Sequence, residues 1–223
     1  MTAIRQQEHE EHGGRRHFLG RIASAMGLGA AALSVPRWLG ASTPSIPSDA
    51  DKWLEKLHGK YRQVFDAYKP DDGFGLAYAT TFLATQGPNP DAAAVVVLRH
   101  SAMPLALGHE MWNRYKIGQS LGINDPETKA AAVKNPFFKP KSGLLLTDEM
   151  AIDRLLARGV IFGCCNVALT VLSAKLAPNA GVTPDVALKE WTAAVIPGIT
   201  ILPSGVWGVN RAQMAGCTYC AAA

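Results

Sequence analysis

The chain has 223 residues, of which 48% are apolar and 18% charged, and its formal net charge is +4. That balance is ordinary for a globular protein and excludes disorder, collagen-like repeats and coiled coil. No run of Lys or Arg lies beyond Arg21, so nucleic acid is not an expected partner, and four cysteines are too few for a disulfide scaffold at this length.

Residues 1–41 read as an export address. Gly14-Arg15-Arg16-His17-Phe18-Leu19 opens it, and 14 uncharged residues rich in Gly and Ala follow, 22–35. A charged segment, a weakly apolar segment and small residues at Gly40-Ala41 form the layout of a secretory signal. Arg15 and Arg16, followed by Phe18 and Leu19, make it resemble a twin-arginine (Tat) signal peptide. The apolar stretch is short of the ~20 residues that span a bilayer. A clean Ala-x-Ala site is absent, so an uncleaved membrane anchor is the alternative. Removing the segment takes five Arg and three Glu and lowers the net charge to +2. His58, His100, His109 and all four cysteines would then lie in the oxidising periplasm. The Tat translocase is the partner this implies during export.

Residues 42–58 read as a Ser/Thr/Pro-rich linker followed by a short helix within 51–57. From residue 59 to 223 one α/β domain is expected. Tyr61–Ala67 fits a first strand. Residues 73–86 fit a helix with Leu76, Ala79, Phe82 and Leu83 on its apolar face, stopped by Gly87-Pro88-Asn89-Pro90. Residues 93–98 are Ala-Ala-Val-Val-Val-Leu, a run without alternation, as in a strand buried on both faces. Residues 103–117 read as one helix with Leu107, Met111 and Tyr115 at four-residue spacing. Residues 125–140 hold three Pro and no period, which reads as a long loop of a kind uncommon unless functional.

Residues 147–158 read as a helix capped by Thr147 and ended by Gly159. A third strand is expected at 160–164, a helix at 166–176, and a further helix from Thr183 to about residue 195. A fourth strand at 199–202, a helix after Ser204 to about residue 214, and a short last strand at 217–220 complete the series. Strands separated by helices imply βαβ units. The expected fold is therefore α/β: three αβα layers around a mainly parallel sheet of about five strands.

In such a sheet, ligands bind beyond the carboxyl ends of the strands. Three of those ends carry chemistry: Arg99-His100-Ser101, Cys164-Cys165-Asn166 and Pro203-Ser204-Gly205. Helices start directly after the last two, and their free N–H groups favour an anion or a thiolate. Cys165 is the candidate nucleophile or sulfur carrier. His100, Ser101 and Ser204 would shape its pocket, and the backbone N–H groups of Asn166 and Gly205 would hold negative charge. Cys164 should point to the opposite side of the strand and pack into the core. His109, Trp112 and Lys116 share a helix face that reads as packing and solvation. Cys217-x-x-Cys220 lacks the setting of a thioredoxin motif. With Cys164 and Cys165 it leaves open a metal or Fe–S site assembled in three dimensions, or a disulfide after export. The sequence contains no Gly-rich phosphate loop, no Ser-His-Asp order and no HExxH motif, and it specifies no cofactor.

Residues 61–219 resemble the DsrE/DsrF-like domains of intracellular sulfur oxidation and sulfur relay. The similarity rests on strand 93–98 running into His100-Ser101-Ala102 and on Gly159-Val160-Ile161-Phe162 running into Cys165-Asn166-Val167-Ala168-Leu169. Pro203-Ser204-Gly205-Val206, Arg211-Ala212-Gln213 and Gly216-Cys217-Thr218-Tyr219 complete it. The resemblance implies a Rossmann-like domain that forms homo-oligomers. In members that carry sulfur, it implies a persulfide on a cysteine after the third strand, the position of Cys165. Sulfur-relay members work in the cytoplasm, whereas this chain carries an export signal, and its segment 121–141 is longer than compact members need. Three function classes follow. The first is an exported carrier or binder of a small anionic or sulfur-containing ligand. The second is a metal- or cofactor-binding redox partner exported folded, and the third a non-catalytic oligomeric binding module.

Overall fold

The computed structural model describes residues 48–87 and 91–222. The signal motif of Arg15, Arg16, Phe18 and Leu19, the linker up to residue 47, and the Pro88-Asn89-Pro90 part of the helix stop lie outside the described residues. The described residues belong to one compact unit, Ile46–Ala223. Among them no helix is long and apolar enough to cross a membrane.

Five strands form one sheet: β1 (Tyr61–Ala67), β2 (Ala92–Leu98), β3 (Ile161–Cys165), β4 (Ile199–Leu202) and β5 (Thr218–Ala221). Their order is β4-β3-β2-β1-β5, and every pairing is parallel. The connecting helices are α1 (Phe74–Thr85), α2 (His109–Arg114), α3 (Ile117–Leu121), α4 (Ile152–Ala157), α5 (Asn166–Leu176), α6 (Pro184–Ala193) and α7 (Gly205–Met214). The result is the three-layer α/β fold, with all five carboxyl ends on one rim.

Side-chain alternation explains the layers. On the central strand β2 all seven residues are buried. Ala94, Val96 and Leu98 pack with Phe65, Phe162 and Leu169 on one face. Val95 and Val97 pack with Val64, Leu202, Val209 and Trp53 on the other. Each buried valine contributes about 2 kcal/mol of apolar transfer, which is why an uninterrupted β-branched run suits this position and no edge. The second face is covered by α7 and by the 3-10 turn Ser48–Leu54. Arg211 ties the two together through both carboxylate oxygens of Asp51.

Two expected helices are broken, for the same physical reason. The stretch 103–117 becomes a 3-10 turn, His100–Ala106, followed by α2 and α3. Leu107 between them is extended and bridges antiparallel to Val195. The Ile196 and Gly108 N–H groups donate to the Ala106 and Ala194 carbonyls across that bridge. The same pairing ends α6 at Ala193, two residues before the expected stop. Leu107, Met111 and Tyr115 are nonetheless all buried. In the stretch 147–158, Thr147 caps a 3-10 turn only, because the Ile152 N–H donates to the Phe137 carbonyl (2.8 Å) before α4 begins.

Residues 125–140 contain no helix or strand, as expected. Asn135 anchors the loop. It is buried, its Nδ2 donates to the Leu105 and Leu107 carbonyls (2.8 and 2.9 Å), and its Oδ1 accepts from the Phe137 N–H.

Candidate functional site at the carboxyl rim

Cys165 is both the last residue of β3 and the N-cap of α5. Its Sγ accepts the Ala168 N–H at 3.3 Å, the position a Ser or Asp oxygen takes in an ordinary cap. The side chain is nearly buried, yet it lines an open cleft of about 550 Å³, a size usual for a small-molecule site. His100, Ser101, Ser204 and Gly205 line the same cleft. Five of the six residues expected at the site are therefore together. Asn166 is not among them: it opens α5 with its side chain exposed, outside the cleft lining.

Ser204 caps α7, its Oγ accepting the Trp207 N–H at 3.2 Å. Ser101 donates to the Tyr68 carbonyl (3.1 Å), and His100 Nδ1 lies 3.3 Å from Ser101 Oγ. His100 is held at φ +50, and Asp71 and Asp72 beyond the end of β1 have φ of +38 and +48. Left-handed backbone at non-glycine residues costs of order 1–3 kcal/mol each; Lys116, Lys129 and Lys139, outside the cleft lining, also adopt it.

The most strongly built part of the rim is one the sequence reading passed over. Leu98 pairs with Cys164, so Arg99, one residue on, lies alongside Cys165. Arg99 grips Asp66 with both ends of its guanidinium, Nε to Oδ1 at 2.5 Å and Nη2 to Oδ2 at 2.7 Å. Asp66 is buried in β1 and also accepts the Tyr219 hydroxyl at 3.0 Å. The guanidinium sits over the Tyr68 ring, 5.1 Å from its centre. The Asp66 hydrogen bonds raise the pKa of Arg99 against the opposing effect of burial, and Tyr219 and Cys165 add to the rise. Burial, followed by the Asp66 carboxylate, raises that of Tyr219. A row of side chains from Cys165 through Arg99 and Asp66 to Tyr219 thus crosses four strands. The only sequence signal for it is a single acid within a buried strand, which demands a cation.

Gly205 is fitted to this row. A Cβ there would run into the Arg99 side chain, so α7 can start close to Arg99 only with glycine at its first position.

The other cysteines are differently placed. Cys164 is fully buried, in the same core cluster as Cys165 rather than across the sheet from it, and burial pushes its thiol up to about 12. Burial raises Cys217 to about 11 and also lifts Cys220. All four are free. β2 and β1 stand between β3 and β5, three steps of ~4.8 Å or about 14 Å, so Cys164 and Cys165 cannot join Cys217 and Cys220 at one ion. Cys217 and Cys220 are separated by extended residues of β5, about 10 Å along the strand, beyond the reach of a disulfide. Among the described residues no group of three His, Cys, Asp or Glu could hold a metal ion. His109 packs against Phe138 and Trp112 is fully buried, in keeping with a packing face.

No family model and no curated protein matches the chain. Among solved structures it is similar to the Protein of Unknown Function MTH1491 from Methanobacterium thermoautotrophicum. The identity is 15%, the match covers 73% of this chain and 99% of that one, and the TM-score is 0.38.

Proposed function

We propose that this chain is an exported DsrE-like protein that takes a sulfur species onto Cys165. One observation carries the reading. The Cys165 sulfur caps a helix at the wall of a cleft that Arg99, its guanidinium held by a buried carboxylate, also lines. Sulfur added to Sγ extends the side chain into that cleft. Its negative charge meets Arg99 and the first-turn N–H groups of α7, while Ser204 and His100 supply hydrogen-bonding partners at the wall. Cys164 and Cys217 are buried, and Cys165 is the cysteine that lines this cleft, which makes it the sulfur-accepting residue. Export follows the Arg15-Arg16 signal through the Tat translocase to the periplasm, and the working form is a homo-oligomer.

The test is mass spectrometry of the folded, mature protein after exposure to a persulfide donor. One mass series reads both the signal cleavage point and the adduct. A gain of one sulfur atom, located on the peptide containing Cys165 and absent in Cys165→Ser, is the expected result. A Cys165→Ser protein that gains sulfur as readily as the parent removes the assignment.

A further inference from the structure

The cleft extends well beyond the sulfur atom. It runs along one face of α5, where Ala168, Val171, Leu172 and Lys175 recur at helical spacing and line it together. Val206, at the start of α7, lines it as well. Val171 and Val206, 49% and 66% exposed, face this opening together with the exposed Val167. From Cys165 to Lys175 is ten residues, about 15 Å at ~1.5 Å per residue. Lys175 is exposed and makes no ion pair among the described residues. A bare sulfide or polysulfide ion needs neither an apolar trough nor a cation so far from the reacting atom.

We infer that the cleft binds an amphiphilic organic thiol or its persulfide. The sulfur end lies at Cys165, a methylene chain covers Val171, Leu172 and Val206, and an anionic tail reaches the Lys175 ammonium. The chemical step rests on the reading of Cys165 as the sulfur acceptor. In that step the Cys165 thiolate attacks the terminal sulfur of R–S–SH and a new S–S bond forms. The S–S bond of the donor breaks, and R–S⁻ leaves and takes up the proton released by Cys165. The products are Cys165–S–SH and R–SH, with no external oxidant or reductant.

Two measurements test this. The first compares sulfur transfer to Cys165 from 8-sulfanyloctanoate persulfide and from inorganic hydrogen disulfide. Val171→Asp and Lys175→Glu should slow the first donor roughly tenfold and leave the second within about twofold. Lys175 lies beyond the ~8 Å screening length from Cys165 at physiological salt, and both positions are exposed, so the fold is not at risk. The second is calorimetric binding of octanoate to the Cys165→Ser protein, in which sulfur chemistry is impossible. Octanoate should bind, and Val171→Asp or Lys175→Glu in that background should abolish it. Equal slowing of both donors, or no octanoate binding, overturns the amphiphile site. If neither donor modifies Cys165 but octanoate binding still depends on Val171 and Lys175, the sulfur reading fails while the amphiphile site stands.

Discussion

Asp66 shows what one buried charge requires. Its side chain is 4% exposed and that of Arg99 26%, so the pair is desolvated on one side only. Removing the charge strands the guanidinium, which costs 3–5 kcal/mol in a fully buried pair. Asp66→Asn should lose about 3 kcal/mol, the low end, because Arg99 keeps part of its surface in water. Urea unfolding gives that number, and Tyr219→Phe, which removes a single hydrogen bond, should lose only about 1 kcal/mol. Equal losses would mean that the carboxylate is not what the network depends on. His109 offers a pH-dependent counterpart away from the cleft. Burial holds its pKa below the ordinary 6.5, Lys134 and Lys139 push the same way, and Glu110 opposes them. Below 6.5 the unfolded chain binds a proton that the folded chain refuses. The stability His109 contributes is thus complete above pH 6.5 and is lost as pH falls toward its lower folded value. His109→Gln should flatten the fall in urea midpoint between about pH 7.5 and about pH 5.5. An unaltered slope would assign the titration to other groups.

At the scale of elements, α7 is set by glycine at its closest approaches. Gly205 leaves room for the Arg99 side chain, and Gly208 and Gly163 make room for Leu202 between helix and sheet. Gly205→Ala should destabilise the fold by about 1–3 kcal/mol through overpacking. It should also slow alkylation of Cys165 by moving Arg99, with a thermal melt and a rate of labelling as the two readouts. A melting temperature equal to the parent's would mean that α7 can slide away freely. Most elements were legible from local pattern. β1, α5 and β4 have the expected bounds, and β2, β3 and β5 differ from expectation by one residue at their ends. The failures at 103–117 and 147–158 share a cause. The Gly108, Ile196 and Ile152 N–H groups donate to carbonyls outside their own helical turns, and hydrophobic periodicity, which reads side chains, carries no signal for such backbone bonds.

For the whole molecule, an all-parallel sheet turns separate sequence motifs into one place. His100, Ser101, Cys165, Ser204 and Gly205 meet because every strand carries its last residues to the same rim. That much follows from strand-helix alternation. The row joining Cys165, Arg99, Asp66 and Tyr219 does not, because it depends on which strands are neighbours and in what register, and β5 pairs with β1 rather than with β4. Tyr219 stands 153 positions after the carboxylate it serves. During translation, β1 to β4 and α7 are all made before Tyr219. Until the ribosome reaches that codon, Asp66 has Arg99 but not the phenol, and the edge of β1 has no neighbour. Tyr219 is made 54 positions after Cys165, so a nascent chain carries that thiol over this interval before its surroundings are in final form.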